Sequence, residues 1–192
     1  MIIVETQRLI LRTWTIADRV AYYQINQDPK VIEFLRGPLS LEQAENFIVA
    51  ANKHQQQHGY TLWAVELKEN FKLIGFIGLN HIDWQAPFTP AVEIGWRLDS
   101  CYWNQGYATE GAKAALAYGF NTVKLEEIVS FTVPANKRSI RVMKKIGLMR
   151  DLQADFAHPK LAPDHPLSQH VLYRLNKTDY RHHFSHRGNC HD

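Results

Sequence analysis

Seven segments of the chain have the hydrophobic and polar pattern of β-strands. Most are short, rich in branched apolar and aromatic residues, and flanked by turn-forming residues. They are residues 8–14, 60–68, 72–79, 91–98, 127–133, 149–156 and 169–175. The break at 69–71 is typical of a hairpin between the second and third strands. Pro159, Pro163 and Pro166 predict a loop over 158–166.

Four further segments have apolar residues at helical spacing. These helices follow Thr15 as far as Ile25, follow Ser40 as far as Gly59, and cover 107–123 and 137–145. Thr15 with Asp18, and Ser40 with Gln43, have the spacing of capping boxes. The third helix has Ala108, Ala112, Ala115 and Gly119 on one face, so we expect it to pack closely against a sheet.

The order of these elements predicts a mixed α+β fold. Consecutive strands favour a mostly antiparallel sheet of about seven strands, flanked by about four helices, with one parallel crossover around the helix at 107–123. A length of 192 residues, with 45% hydrophobic and 21% charged residues, is typical of one globular domain. We expect this domain to cover residues 1–180 and residues 181–192 to form a disordered tail.

Composition disfavours several classes of function. The net charge of +3 is dispersed, and the densest basic run, at 137–145, suits a local anion site better than a nucleic-acid face. No apolar run approaches the ~18 residues of a membrane helix, and the start lacks an export signal. Two cysteines cannot form a disulfide framework, so we expect a cytoplasmic protein without membrane or nucleic-acid partners. Its aromatic residues leave a homodimer open.

The segment 103–110, WNQGYATE, joins the strand at 91–98 to the helix that starts at Tyr107. The first backbone N–H groups of a helix have no partner within the helix and lie at the positive end of its dipole. Such a turn suits a phosphate or pyrophosphate. Gly106 alone would equally fit an ordinary strand-to-helix turn, and the segment is neither a Walker A loop nor a three-glycine dinucleotide motif.

Three motifs in this order resemble the GNAT superfamily of acyl-CoA-dependent N-acyltransferases. They are VEIGWRL at 92–98, YWNQGYATE at 102–110, and NKRS at 136–139 followed by VMKKIGL at 142–148. The resemblance extends from RLILR near the start to HVLYRL near the end. It is closest to the branch of ribosomal-protein N-terminal alanine and serine acetyltransferases.

The resemblance implies a fold and a cofactor site. In the family two neighbouring parallel strands separate, here 92–98 and 127–133, and pantetheine occupies the gap. Backbone groups of Trp96, Arg97 and Leu98 would pair with pantetheine. The amides from Asn104 to Thr109, that is Asn104, Gln105, Gly106, Tyr107, Ala108 and Thr109, would bind the pyrophosphate of acetyl-CoA, helped by the Thr109 hydroxyl. Asn136 would orient the pantetheine or the leaving sulfur, although its position also suits a helix N-cap.

Catalytic residues are predicted from the same resemblance. Many relatives have a tyrosine seven residues after the Asn, where this chain has Met143, which cannot donate a proton. Ser139 is the branch's substitute, and a serine bonded to local backbone is the alternative. For the base we consider Glu93, His170 and a water chain to solvent. The loop 84–88, the second helix and 155–170 are expected to form the acceptor side.

The resulting hypothesis is an N-acetyltransferase that transfers acetyl from acetyl-CoA to a primary amine of a protein N-terminus, a lysine or a small molecule. The amine would attack directly within a ternary complex. The alternatives are a non-catalytic acyl-CoA-binding module and a phosphate- or nucleotide-binding domain unrelated to coenzyme A. No metal is expected, because the histidines of 181–191 lack the spacing of ligands.

Overall fold

A computed structural model describes residues 1–185 and places eight strands in one sheet. The strands are β1 (Ile2–Glu5), β2 (Leu9–Arg12), β3 (Leu62–Leu67), β4 (Leu73–Ile82), β5 (Ala91–Leu98), β6 (Glu127–Thr132), β7 (Met149–Ala157) and β8 (Gln169–Asn176). Their order across the sheet is β1-β2-β3-β4-β5-β6-β8-β7. Only β5 and β6 pair in parallel. The predicted mixed fold is confirmed, with eight strands instead of about seven.

The additional strand is β1, whose four residues form a partly bulged pair with β2. Its burial pattern shows exposed residues at both ends and no fully buried residue. A segment this short has too few alternating positions for periodicity to identify it. The strand β1 is therefore identified by its pairing with β2 and not by its own sequence pattern.

Six α-helices flank the sheet within residues 1–185, two more than predicted. They are α1 (Arg19–Ile25), α2 (Pro29–Ile32), α3 (Leu41–His58), α4 (Tyr107–Tyr118), α5 (Lys137–Lys145) and α6 (Lys177–Ser185). The helix α2 is a single turn, and α6 follows β8 directly. Residues 181–185 of the predicted tail therefore lie in α6, and 186–192 lie outside the described residues.

Both predicted capping boxes form. The Ser40 hydroxyl accepts the Gln43 N–H at 3.1 Å, and the Gln43 side chain accepts the Ser40 N–H at 2.8 Å. The N–H of Thr15 donates to Asp18 at 2.7 Å, but this box begins a short 3-10 turn, Ile16–Asp18, ahead of α1. The helix α3 ends at Gly59, whose φ is 78°.

The two faces of the sheet bury separate cores. Trp63 and Val65 point into the larger core under α4, whereas Ala64 between them packs with Tyr22 and Ile48 under α1 and α3. This alternation follows from the period of two along a strand. Side-chain direction on any strand therefore decides which helical layer a residue meets.

The helix α4 lies unusually close to the sheet. A Cβ atom on Gly111 would come within 2.4 Å of Cδ1 of Ile77 on β4. The expected close packing of this small-residue helix is confirmed, and its last turn, Gly119–Val123, is π-helical. The close fit holds the N-terminus of α4 beside the end of β5.

Within residues 1–185, no helix combines the length and the hydropathy needed to cross a bilayer.

Candidate functional site

A cavity of about 710 Å³ opens where β5 and β6 separate. The register of the two strands has one parallel pair, Glu93 with Val129. Just beyond it, the Ser130 hydroxyl donates to the Ile94 carbonyl at 2.9 Å and bridges the strands. Residues 94–98 and 130–132 then line the cavity from opposite sides. The sheet thus contains a gap between β5 and β6 beyond their single residue pair.

The turn before α4 borders this cavity. Asn104 and Gly106 have positive φ values of 61° and 86°. The first helical hydrogen bond runs from the Glu110 N–H to the Gly106 carbonyl at 2.9 Å, so the amides of 107–109 precede the helical ladder. The left-handed conformation favours glycine at 106. The turn therefore presents several donors at the positive end of α4, as its sequence predicts.

An ionic cluster of Thr6, Arg8 and Glu110 holds the turn in place. One Glu110 oxygen accepts from the Thr6 hydroxyl at 2.7 Å and from the Arg8 N–H at 2.9 Å, and the other pairs with the Arg8 guanidinium at 2.6 Å. Arg8 also donates to the Gln105 carbonyl at 3.0 Å and lies over the Tyr107 ring. Burial acts to raise the pKa of Glu110, but these hydrogen bonds and the cation bring it below its ordinary value.

The first turn of α5 forms another wall of the cavity. Asn136 caps this helix, because its side-chain oxygen accepts the Ser139 N–H at 3.1 Å, and its amide donates to the Thr132 hydroxyl at 3.1 Å. The Ser139 side chain lines the cavity, and its hydroxyl has no hydrogen-bond partner among residues 1–185. Met143 is fully buried in the core. Asn136 therefore fits the N-cap interpretation, and Ser139 is left with a free donor.

Glu93 lies at the point where the two strands begin to separate. Its side chain lines the cavity, and burial raises its pKa to about 8 despite a hydrogen bond from Asn80 that acts in the opposite direction. No ion pair to Glu93 occurs among the described residues. A carboxyl group with this pKa exchanges its proton close to neutral pH.

His170 lines the cavity from β8. Its Nδ1 lies 3.0 Å from the Ser168 carbonyl, which can only accept, so Nδ1 carries the proton and Nε2 is the free acceptor. Burial lowers the pKa of His170. The ring packs 5.8 Å from Phe131 and 5.1 Å from His158, whose pKa falls to about 4 mainly through burial and the nearby His170. Both imidazoles are thus neutral at pH 7.

Most residues proposed from the sequence meet around this one cavity. Its lining includes Glu93, Trp96, Arg97, Leu98, Asn104, Gly106, Tyr107, Ala108, Thr109, Asn136, Ser139 and His170. Gln105 is the exception, because its side chain is exposed and donates to the Cys101 carbonyl at 3.0 Å. The Arg97 side chain is also engaged, donating to Asn26 at 2.5 Å.

The sequence did not indicate several residues of the cavity. Phe34 and Leu35, just after α2, line it together with Leu62 and Phe76. Of the segments expected to form the acceptor side, 84–88, the second predicted helix and 155–170, only the last reaches the cavity, through His170. Phe131 also lines the cavity, and its ring centroid lies 5.9 Å from that of Trp84. These residues look like ordinary core positions, so no local signal could have assigned them. The Arg8–Glu110 pair spans 102 positions and is equally invisible to periodicity.

Within residues 1–185, no cluster of three or more His, Cys, Asp or Glu side chains is arranged to hold a metal ion. The remaining histidines of the tail lie outside the described residues.

A gap between two parallel strands, with an amide-rich turn at one end, is an architecture for holding an extended ligand that carries a diphosphate. The model of the acetyltransferase (GNAT) domain matches residues 8–149. The uncharacterized N-acetyltransferase YnaD of Bacillus subtilis strain 168 is 35% identical over 150 residues, covering 77% of this chain and 83% of YnaD. The chain belongs to the GNAT family of N-acetyltransferases.

Solved structures agree with this assignment. A GNAT-family acetyltransferase from Bacillus anthracis superposes with a TM-score of 0.74 at 29% identity, over 91% of this chain and 98% of that one. RimL, a ribosomal L7/L12 alpha-N-protein acetyltransferase solved in complex with coenzyme A, gives a TM-score of 0.75 at 18% identity, over 94% and 99% of the two chains. At 18% identity, the likeness to RimL supports the fold alone.

Proposed function

We propose that this protein transfers the acetyl group of acetyl-CoA to a primary amine within a ternary complex. The observation that supports this most is the continuity of the cavity. A single space joins the amides of the turn, the open strand edges, the free Ser139 hydroxyl and Glu93. An extended thioester and its attacking amine need these groups in one place.

The cofactor would occupy the gap between β5 and β6. In this proposal the amides of 104–109 and the Thr109 hydroxyl hold the pyrophosphate, and backbone groups of Trp96, Arg97 and Leu98 pair with pantetheine. Charge-assisted hydrogen bonds contribute ~1.5–3 kcal/mol each, so a few of them support micromolar binding. Gln105 contributes through its backbone, since its side chain is directed away from the cavity.

Glu93 is the proposed base. A substrate ammonium must lose a proton before its nitrogen can attack, and a carboxylate whose pKa is raised to about 8 is a stronger base than an ordinary glutamate. His170 and a water chain are the competing routes. His170 has a free Nε2, but its lowered pKa makes it the weaker base.

The transfer then needs no further cofactor. The amine nitrogen bonds to the thioester carbon, and the tetrahedral oxyanion collapses with breakage of the carbon–sulfur bond. The thiolate leaves with the bonding electron pair and takes a proton from Ser139, the proposed donor. Ser139 regains a proton from the nitrogen of the intermediate, which loses its second proton as the amide forms. A thiol pKa near 8.5 makes this thiolate a tolerable leaving group, so a modest donor is sufficient.

Release of free thiol in the presence of an amine and peptide panel tests the proposal. We expect acetyl-CoA cleavage that depends on amine, with an equal amount of acetylated product. If cleavage is slow and no amine accelerates it while coenzyme A binds, the non-catalytic acyl-CoA-binding module is the correct interpretation. Thermal stabilisation by ATP but not by coenzyme A would instead identify a nucleotide-binding domain.

A further inference from the structure

The part of the cavity on the α1 and α3 side of the sheet has a distinct chemical character. Arg97 points to this side, where it meets Tyr22 and Asn26, and Glu93 shares its side because it is four residues away on the same strand. Leu62 and Phe76 belong to the core under α1 and α3. The turn of 104–109 leads into α4 on the opposite side. Cofactor and acceptor therefore approach the gap from different faces.

We call the space around Glu93 on this side the acceptor chamber. Its walls come from five parts of the chain and are apolar or aromatic: Phe34, Leu35, Leu62, Phe76, Phe131 and the neutral ring of His170. Phe131 is held by packing against Phe156 at 5.4 Å. The chamber thus has a rigid aromatic side and an apolar side formed by the segment after α2.

Negative charge is almost absent from this site. Glu93 is the one carboxylate among the described residues that line the cavity, and it sits at the end where the reacting amine must be. All other ionic residues of the lining are basic: Lys30, Arg97, Arg138, Arg141 and Lys145. A second ammonium on the acceptor would find mostly apolar walls or like charges, and no second carboxylate among the described lining residues to pair with.

We infer that the acceptor is a primary monoamine whose amino group is joined directly to an apolar aliphatic or aromatic body without a second cation. This inference rests on the proposed acetyl transfer and narrows its acceptor. An apolar body gains by leaving water for the chamber walls. A cation in the same place loses its hydration without gaining a partner.

Two amines of nearly the same shape test it. n-Hexylamine and pentane-1,5-diamine have the same number of non-hydrogen atoms. They differ at one end, where n-hexylamine has a methyl group and the diamine has a second ammonium. We expect kcat/KM for n-hexylamine to exceed that for the diamine by at least about 10-fold, because exchanging one group in an apolar pocket commonly changes specificity by 10–200-fold. Equal turnover, or a preference for the diamine, overturns the inference while leaving acetyl transfer intact. Absence of turnover with every amine overturns both.

A charge placed in the chamber provides a second test. Leu35→Glu supplies a carboxylate next to the bound body, so the preference for n-hexylamine should fall at least about 10-fold. Leu152→Glu is the matched control, since Leu152 lies on β7, is 80% exposed and does not line the cavity. It should keep the wild-type preference. If Leu35→Glu folds, as judged by circular dichroism, and retains the wild-type preference, the chamber is not where the acceptor binds.

Discussion

At the scale of single residues, the proposed mechanism depends most on the Glu93 carboxyl group. Glu93 belongs to the one residue pair that joins β5 to β6 in the described register, and its side chain has a hydrogen bond from Asn80 but no ion pair among the described residues. Burial without a compensating charge favours the protonated form. In the proposed mechanism, the feature that makes Glu93 costly for the fold also makes it an effective base.

The pH dependence of turnover identifies the base. With n-hexylamine as acceptor, kcat/KM of the wild type should rise with pH through an acid limb near 8, because Glu93 acts only when deprotonated. Glu93→Gln should lose this limb and fall by about 10²–10⁴-fold, the usual contribution of a general base. His170→Ala should retain the limb. A wild-type acid limb in Glu93→Gln would assign the proton transfer to another group.

Stability should depend on pH in the corresponding direction. The folded-state pKa of Glu93, about 8, exceeds its ordinary value of 4.5. Glu93 therefore costs no folding free energy below pH 4.5, and its cost increases as the pH rises to 8. Glu93→Gln should therefore gain on the order of 2–4 kcal/mol relative to wild type between pH 5 and 8. Urea unfolding at the two pH values measures this difference. A constant difference would show that Glu93 is not protonated in the folded protein.

At the scale of elements, the turn before α4 combines backbone strain with a supporting ion cluster. Gly106 adopts a positive φ that is unfavourable for residues with a side chain, and the ion pair of Arg8 with Glu110 supports the turn. Close packing of Gly111 on Ile77 fixes the helix that follows. The position of the turn amides is therefore set by contacts from the segment before β2, from β4 and from α4 together.

Gly106→Val should weaken coenzyme A binding at least about 10-fold, because a φ of 86° disfavours a branched side chain and the turn will rearrange. Gly59→Val is the matched control. Gly59 has a similar φ of 78° at the end of α3, with open space around it, and does not line the cavity. Both variants should lose stability, but only Gly106→Val should lose affinity in titration calorimetry. Equal affinity of the two variants for coenzyme A would show that the turn is not part of the binding site.

Glu110→Ala tests the cluster that supports the turn. It leaves the Thr6 and Arg8 donors without their acceptor, so we expect a loss of about 1–3 kcal/mol at pH 7. Because the pKa of Glu110 is lowered by folding, this contribution is present above the ordinary glutamate pKa and disappears as pH falls below it. Unfolding by urea at pH 7 and in acid measures the trend. Glu126→Ala, at a carboxylate that is 79% exposed, should show little change at either pH.

At the scale of the whole molecule, the sheet separates two layers of helices and opens between them at one place. The extended and helical segments with strong periodicity could be predicted from the sequence, as could most residues of the turn, β5 and α5. The strand β1, the single turn of α2 and the helix α6 could not, because each is too short or too polar for periodicity to identify. Contacts between distant segments, such as Arg8 with Glu110 or Phe34 with the gap, have no local signature.

These distant contacts determine the acceptor side. The family resemblance implies that Ser139 and Gly106 share one site, because each lies in a continuous motif that the resemblance covers. The chamber, by contrast, is assembled from the segment after α2 and from β3, β4, β6 and β8, which meet only in the folded structure. The residues of the proposed cofactor side could therefore be named from the sequence, whereas most residues of the proposed acceptor chamber could be named only from the structure.

A crystal structure of the complex with coenzyme A tests the central claim most directly. We expect pantetheine to lie between β5 and β6, with pyrophosphate oxygens within hydrogen-bonding distance, about 2.7–3.2 Å, of the backbone nitrogens of 106–109. The sulfur should point toward Glu93 through the gap. Coenzyme A bound elsewhere on the surface, with β5 and β6 closed against each other, would contradict the account.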